Sequence, residues 1–123
     1  MKKNHVKPLG GKVLVNRILF ILQEALAETI VTIDLHGLPG TADYFIICQS
    51  DNTTHNRACA DHVIERLIKL GTRPWQYEGL QEGRWILLDY SDVVVHIMLP
   101  EVRDYYDIEG LWTERAVRRT TAP

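Results

Sequence analysis

No run of apolar residues in this chain approaches the roughly 18 that a membrane span needs. Neither G-x-x-x-x-G-K nor G-x-G-x-x-G occurs, so the two common glycine loops that cradle phosphates are missing. Cysteine is scarce: Cys48 and Cys59 are the only two, and both sit among apolar residues. Two reduced, buried thiols are expected there, because a disulfide framework takes a denser set of cysteines in a small secreted domain. Met1 to Pro8 is basic and polar, without the apolar stretch of a secretory signal, which makes the cytosol the expected compartment.

An excess of positive charge is also lacking. Fourteen Lys and Arg against 16 Asp and Glu leave a net charge of −2. Binding that rests on phosphate neutralisation normally shows a strongly basic face, so sequence-specific nucleic-acid recognition is not expected. The acids are unevenly placed. Asp89, Asp92, Glu101, Asp104, Asp107 and Glu109 fall within one stretch that holds a single cation, Arg103, and the tail then turns basic with Arg115, Arg118 and Arg119. Such a stretch is either a solvated surface or one suited to a basic partner protein, since complementary potentials speed encounter and fix orientation.

What remains is an ordinary globular composition, 46% hydrophobic and 24% charged over 123 residues, enough for one domain with its own core. Leu14, Ile18, Ile21, Leu22 and Ala25 recur at helical spacing between Lys12 and Glu28. Val15, Leu19, Phe20 and Leu26 add a second stripe, so this helix is either covered on two sides or shared with another subunit. Ile30–Leu35 has the β-branched content of a strand, and His36–Gly40 reads as a turn. The apolar run Asp43–Gln49 predicts a strand buried on both faces. Ser50–Thr54 supplies capping residues for a helix from Thr54 to Leu70, marked by Cys59, Val63, Leu67 and Leu70 and stopped by Gly71. Trp75–Glu78, Arg84–Asp89 and Asp92–Leu99 read as strands. Pro100 ends the last and opens a short helix, Glu101 to Tyr106. A turn around Glu109–Thr113 should return Trp112 to the body, and Arg115 to Pro123 reads as frayed. The expected order is α-β-β-α-β-β-β-α, an α/β fold with a mixed sheet and flanking helices. One domain is expected over residues 12–113, with flexible ends at 1–11 and 114–123.

Catalytic constellations fare poorly. The turn Cys48–Asn56 before the long helix has no glycine, and Asp51 stands where a phosphate would sit, so capping accounts for it better. Asp89 and Asp92 are spaced i, i+3 across a turn, whereas a magnesium-binding pair on one strand face is spaced i, i+2. His96 has no second ligand at a suitable spacing, and His5, His36, His55 and His62 are scattered. No metal or cofactor is expected. Strand alternation instead puts Trp85, Leu87 and Asp89 on one face of their strand, and Asp92, Val94, His96 and Met98 on one face of the next. A face of Trp, Asp, Asp, His and Met is polar for a core and apolar for plain solvent. Aromatic residues among carboxylates on a firm sheet have the make-up of an interface hot spot. Trp85, Leu87, Asp89, Asp92, His96 and Met98 are therefore expected at the centre of a partner contact, with Arg103, Tyr106 and Glu109 at its rim.

These residues carry a family resemblance. A-D-Y-F-I-I-C at Ala42–Cys48, Asn52-Thr53, A-D-H-V at Ala60–Val63 and P-x-x-x-E-G at Pro74–Gly79 are followed by W-x-L-L-D-Y-x-D-V-V-V-H-I at Trp85–Ile97 and Y-x-x-E-x-L-W ending at Trp112. Taken together, in unbroken order over residues 12–113, they resemble the ribosomal silencing factor (RsfS, or Iojap-like) family. One departure is Ser91, where that family usually has glycine. The resemblance implies a nucleotidyltransferase-like fold without the catalytic groups, and no enzyme activity. It also implies binding to ribosomal protein L-fourteen on the large ribosomal subunit, steric blocking of subunit joining, repression of translation and homodimers when free. A ribosome-assembly scaffold and a residual nucleotidyltransferase-type enzyme are the alternatives.

Overall fold

The computed structural model describes residues 7–121, with side chains through residue 115. Helix α1 (Gly11–Glu24) leads into strands β1 (Glu28–Asp34) and β2 (Tyr44–Gln49). Helix α2 (Thr53–Lys69) follows, then β3 (Gln76–Glu78), β4 (Trp85–Asp89), β5 (Val93–Met98), α3 (Pro100–Tyr106) and α4 (Ile108–Thr121). The five strands form one mixed sheet in the order β1-β2-β5-β4-β3. β2 and β5 run parallel at its centre, and the other three pairings are antiparallel. The two central strands are also the two most continuously apolar runs, as burial on both faces requires.

Capping chemistry sets α2. The Asn52 side chain accepts a hydrogen bond from the His55 N–H at 2.7 Å, leaving one fewer unpaired donor in the first turn. At the other end Gly71 takes φ +82°, while the Gly71 and Thr72 N–H groups donate to the carbonyls of Ile68 and Leu67. That paired closure wants a left-handed residue, and glycine adopts it without strain. α1 is shorter than its periodicity implies. It stops at Glu24, and Leu26 turns the chain at φ +64°.

The sheet separates two apolar layers. On one side Leu14, Val15, Ile18, Ile21 and Leu22 of α1 and Cys59, Val63 and Leu67 of α2 pack on Ile86, Leu88, Val93, Val95 and Ile97. Cys48 and Cys59 are unpaired and buried in this layer. Burial raises both thiols, Cys48 to about 12 and Cys59 to about 11, so neither is a thiolate near neutrality. On the other side Ile33, Ile47, Met98, Leu99 and Val102 form a smaller cluster under α3 and α4, joined by Trp85, Ile108 and Trp112.

The chain's end differs from the expectation. The turn around Glu109–Thr113 is the start of α4, and the stretch from Arg115, expected to be frayed, is helical backbone as far as Thr121. Asp107 makes this possible. At φ +45° it ends α3, and its Oδ1 accepts from the Gly110 N–H at 3.2 Å, so one residue closes a helix and caps the next. At the other end residues 7–10 lie in no regular element and α1 opens at Gly11, while residues 1–6 and 122–123, expected to be flexible, lie outside the described residues.

Candidate partner-binding face

Strand register decides which side chains share the second face of the sheet. Trp85 pairs with Met98, Leu87 with His96 and Asp89 with Val94. The parallel pairing sets Phe45 beside Val94 and Ile47 beside His96, while Gln76 and Glu78 of β3 lie beside Asp89 and Leu87. α3 and α4 cover the β1 side of this face and reach across it to Met98 and Trp85. A window stays open over β4 and β3, a shallow hollow of about 270 Å³ bordered by Gln76, Glu78, Leu87, Asp89, Val94 and Trp112.

An aromatic row crosses the face. Tyr105 meets Tyr106 at 4.9 Å between ring centroids, Tyr106 meets Trp85 at 5.1 Å, and Trp85 meets His96 at 6.0 Å. His96 then meets Phe45 at 4.9 Å, and Phe45 meets Trp112 at 5.5 Å. The Trp85 indole N–H donates to His96 Nδ1 at 3.1 Å, which fixes both rings. Burial lowers the His96 pKa to about 4, so the ring is neutral near pH 7. With Nδ1 accepting, the ring proton sits on Nε2, which is buried and unpartnered among the described residues.

The nine residues expected at the contact divide. Trp85, Leu87 and Asp89 are half-buried on the open part of the face, and Tyr106 is 56% exposed beside them. Four others depart from the expectation of direct contact. Met98 is 0% exposed beneath α3 and α4, and His96 is 5% exposed at the floor of the hollow between the Phe45 and Trp85 rings; alternation cannot reveal either cover. Arg103 is 5% exposed: its Nε and Nη2 donate to Glu109 at 2.6 and 3.2 Å, and its Nη1 donates to the Thr29 carbonyl and to Gln49. Asp92 precedes β5 and follows Ser91 at φ +77°, so the alternation does not run through it. Its carboxylate instead accepts from the Gly11 N–H at 2.6 Å and tethers the start of α1. Glu109 is partly exposed but committed to Arg103.

The family model described as "Ribosomal silencing factor during starvation" (RsfS) matches residues 11–122. The chain belongs to the RsfS family. The RsfS of Bacillus subtilis is 37% identical over 86 residues, which cover 70% of this chain and 73% of that protein. The RsfS of Chromobacterium violaceum is 38% identical over 91 residues, 74% of this chain and 75% of that one. A mouse protein named "Mitochondrial assembly of ribosomal large subunit protein 1" is 30% identical over 88% of this chain, which spans 49% of it. Among solved structures, a Chromobacterium violaceum protein matches with a TM-score of 0.81 at 34% identity, covering 85% of this chain and 87% of that one. A Bacillus halodurans protein matches at 0.75 and 28% identity, covering 83% and 95%. This RsfS-family chain thus has the mixed-sheet architecture of solved relatives and a ribosome-associated silencing role. Phe45 and Glu78 escaped the sequence reading of the face. Their places depend on the β2–β5 and β3–β4 pairings, which alternation within a strand does not encode.

Proposed function

We propose that this protein binds the large ribosomal subunit through ribosomal protein L-fourteen and, by occupying that surface, blocks joining of the small subunit and lowers translation. It acts as a cytoplasmic steric repressor and carries out no catalysis. The observation that carries this reading is the open window: half-buried Leu87 and Val94 flanked by Asp89 and Glu78, beside the exposed Tyr106. An apolar centre with an anionic border suits a basic protein surface. Trp85, Leu87, Asp89 and Tyr106 make the contact. His96, Met98, Arg103 and Glu109 hold it from beneath and beside, and Asp92 anchors α1. When free, the protein pairs with a second copy through the outer side of α1, where Val13 is 63% and Phe20 50% exposed.

The mouse relative's name favours a second reading, assistance in building the large subunit. Co-sedimentation with purified large subunits tests what the two readings share. Leu87→Glu should weaken binding at least about thirtyfold, the loss typical of a hot-spot residue. Asp89→Asn keeps the oxygen that accepts the Ser91 N–H at 2.8 Å and removes the charge together with one exposed acceptor for Gln76, so it should weaken binding without unfolding the turn. Wild-type sedimentation by both variants would remove this face from the account.

A further inference from the structure

The sheet edge at β3 carries two exposed aromatic rings that take no part in the face just described. Trp75 is 76% exposed and Tyr77 is 53% exposed. Tyr77 pairs with Leu88, a residue of the α1–α2 layer, so it stands on the side of the sheet opposite Gln76 and Glu78. Trp75 immediately precedes β3, and its N–H donates to the Asp89 carbonyl at 2.6 Å. Unlike Tyr105 and Tyr106, neither ring stacks on another among the described residues.

Cations lie close to these rings along the chain. Arg73 lies two residues before Trp75, and Lys69 is the last residue of α2. The Leu9 N–H donates to Thr72 Oγ1 at 2.8 Å, which pins the entering chain next to Arg73 and places Lys7 two residues from the pin. Lys7, Lys69 and Arg73 are all exposed, and none has an ion-pair partner among the described residues. Glu65, one turn before Lys69 on α2, and Glu78, next to Tyr77 but on the other side of β3, are the nearby acids in sequence. Asp89 lies beside β3, but its carboxylate accepts from the Gln76 amide at 3.3 Å on the side of the sheet opposite Tyr77.

Free flat rings beside unpaired cations match the chemistry of single-stranded RNA, whose bases stack on aromatic faces and whose phosphates take Lys and Arg. We propose that the Lys7–Lys69–Arg73 cluster and the Trp75 and Tyr77 rings form a sequence-tolerant RNA-gripping edge. The net charge of −2 makes it an auxiliary hold. It rests on the ribosomal reading for where the RNA is met, although the edge is tested without ribosomes.

The probe is a fluorescein-labelled oligouridylate about 12 nucleotides long, titrated with the full chain and read by anisotropy and tryptophan quenching. Binding is expected, and with three phosphate contacts it should weaken about 20-fold between about 50 and about 200 mM salt. Trp75→Ala should weaken it at least about fivefold, the smaller loss expected for one stacked base. Arg73→Glu should weaken it and flatten its salt dependence, while Tyr105→Ala, an exposed ring elsewhere, should change nothing. Leu87→Glu separates the two proposals: it should release large subunits yet bind the oligonucleotide as wild type does. No binding, or binding indifferent to both Trp75→Ala and Arg73→Glu, overturns the inference. So does capture by vesicles of equal parts phosphatidylcholine and phosphatidylglycerol in place of the oligonucleotide, which would mark the edge as a membrane contact.

Discussion

Ser91 sits between β4 and β5 with φ +77°, in the left-handed region that costs an L-residue roughly 1 kcal/mol or more. Its N–H is held by Asp89 Oδ1 at 2.8 Å, so the turn is kept despite the strain. Ser91→Gly should raise stability by about 0.5–1 kcal/mol, read as a higher urea midpoint with an unchanged slope. A lower midpoint would mean that the serine side chain contributes more than its backbone costs. His96 supplies a second residue-level test. Its folded pKa of about 4 lies below the 6.5 of an exposed histidine, so the unfolded chain binds the extra proton between those values. Stability should therefore be intact above pH 6.5 and should fall as pH drops toward 4, by on the order of 1–2 kcal/mol at pH 5 from this group. In His96→Gln that part of the pH dependence should vanish. If His96→Gln loses as much stability between pH 7 and pH 5 as the wild type, read from urea midpoints, another group carries it.

Among the elements, α4 depends most visibly on a few polar contacts. It reaches the sheet through Trp112 on Phe45 and through Glu109, which holds Arg103 against the Thr29 carbonyl and Gln49. Thr29 can offer that carbonyl because β1 bulges between Glu28 and Val31, with Thr29 at φ +49°. Removing one partner of a buried ion pair leaves the other charge uncompensated, at about 3–5 kcal/mol. Glu109 keeps 29% side-chain exposure, so Glu109→Ala should cost less, on the order of 2 kcal/mol. Amide exchange should then speed up in α4 and β1 before it does in α2; uniform loss of protection would show that α4 is not a separately loosened unit. The central strands and α2 were legible in the sequence because their signals are local: continuous apolar runs for β2 and β5, and Asn52 and Gly71 at the ends of α2. α4 was not, because its first turn contains Gly110 and its outward side is charged, so its periodicity is weak. Asp107, which joins α3 to α4, has no sequence signature that distinguishes a double cap from an ordinary loop aspartate.

Across the whole molecule the sheet keeps two faces apart. One is covered by α1 and α2 except at the β3 edge; the other is half covered by α3 and α4, with its remainder open, apolar at the centre and anionic at the border. Alternation grouped Trp85, Leu87 and Asp89 correctly on one side. It could not say that His96 and Met98 lie under cover, because cover comes from elements distant in sequence. It also carried Asp92 onto that face, whereas the turn at Ser91 sends its carboxylate to Gly11. The hydrophobic pattern thus located the surface, and tertiary packing decided how much of it remains available. On this reading the protein acts by occupying space on the large subunit. Light scattering of purified subunits brought together, with the large subunits first saturated by the protein, tests this most directly. Joined particles should fall in proportion to large-subunit occupancy, and Leu87→Glu protein should leave joining intact. Normal joining by large subunits that still carry the protein would show that it does not act by steric exclusion.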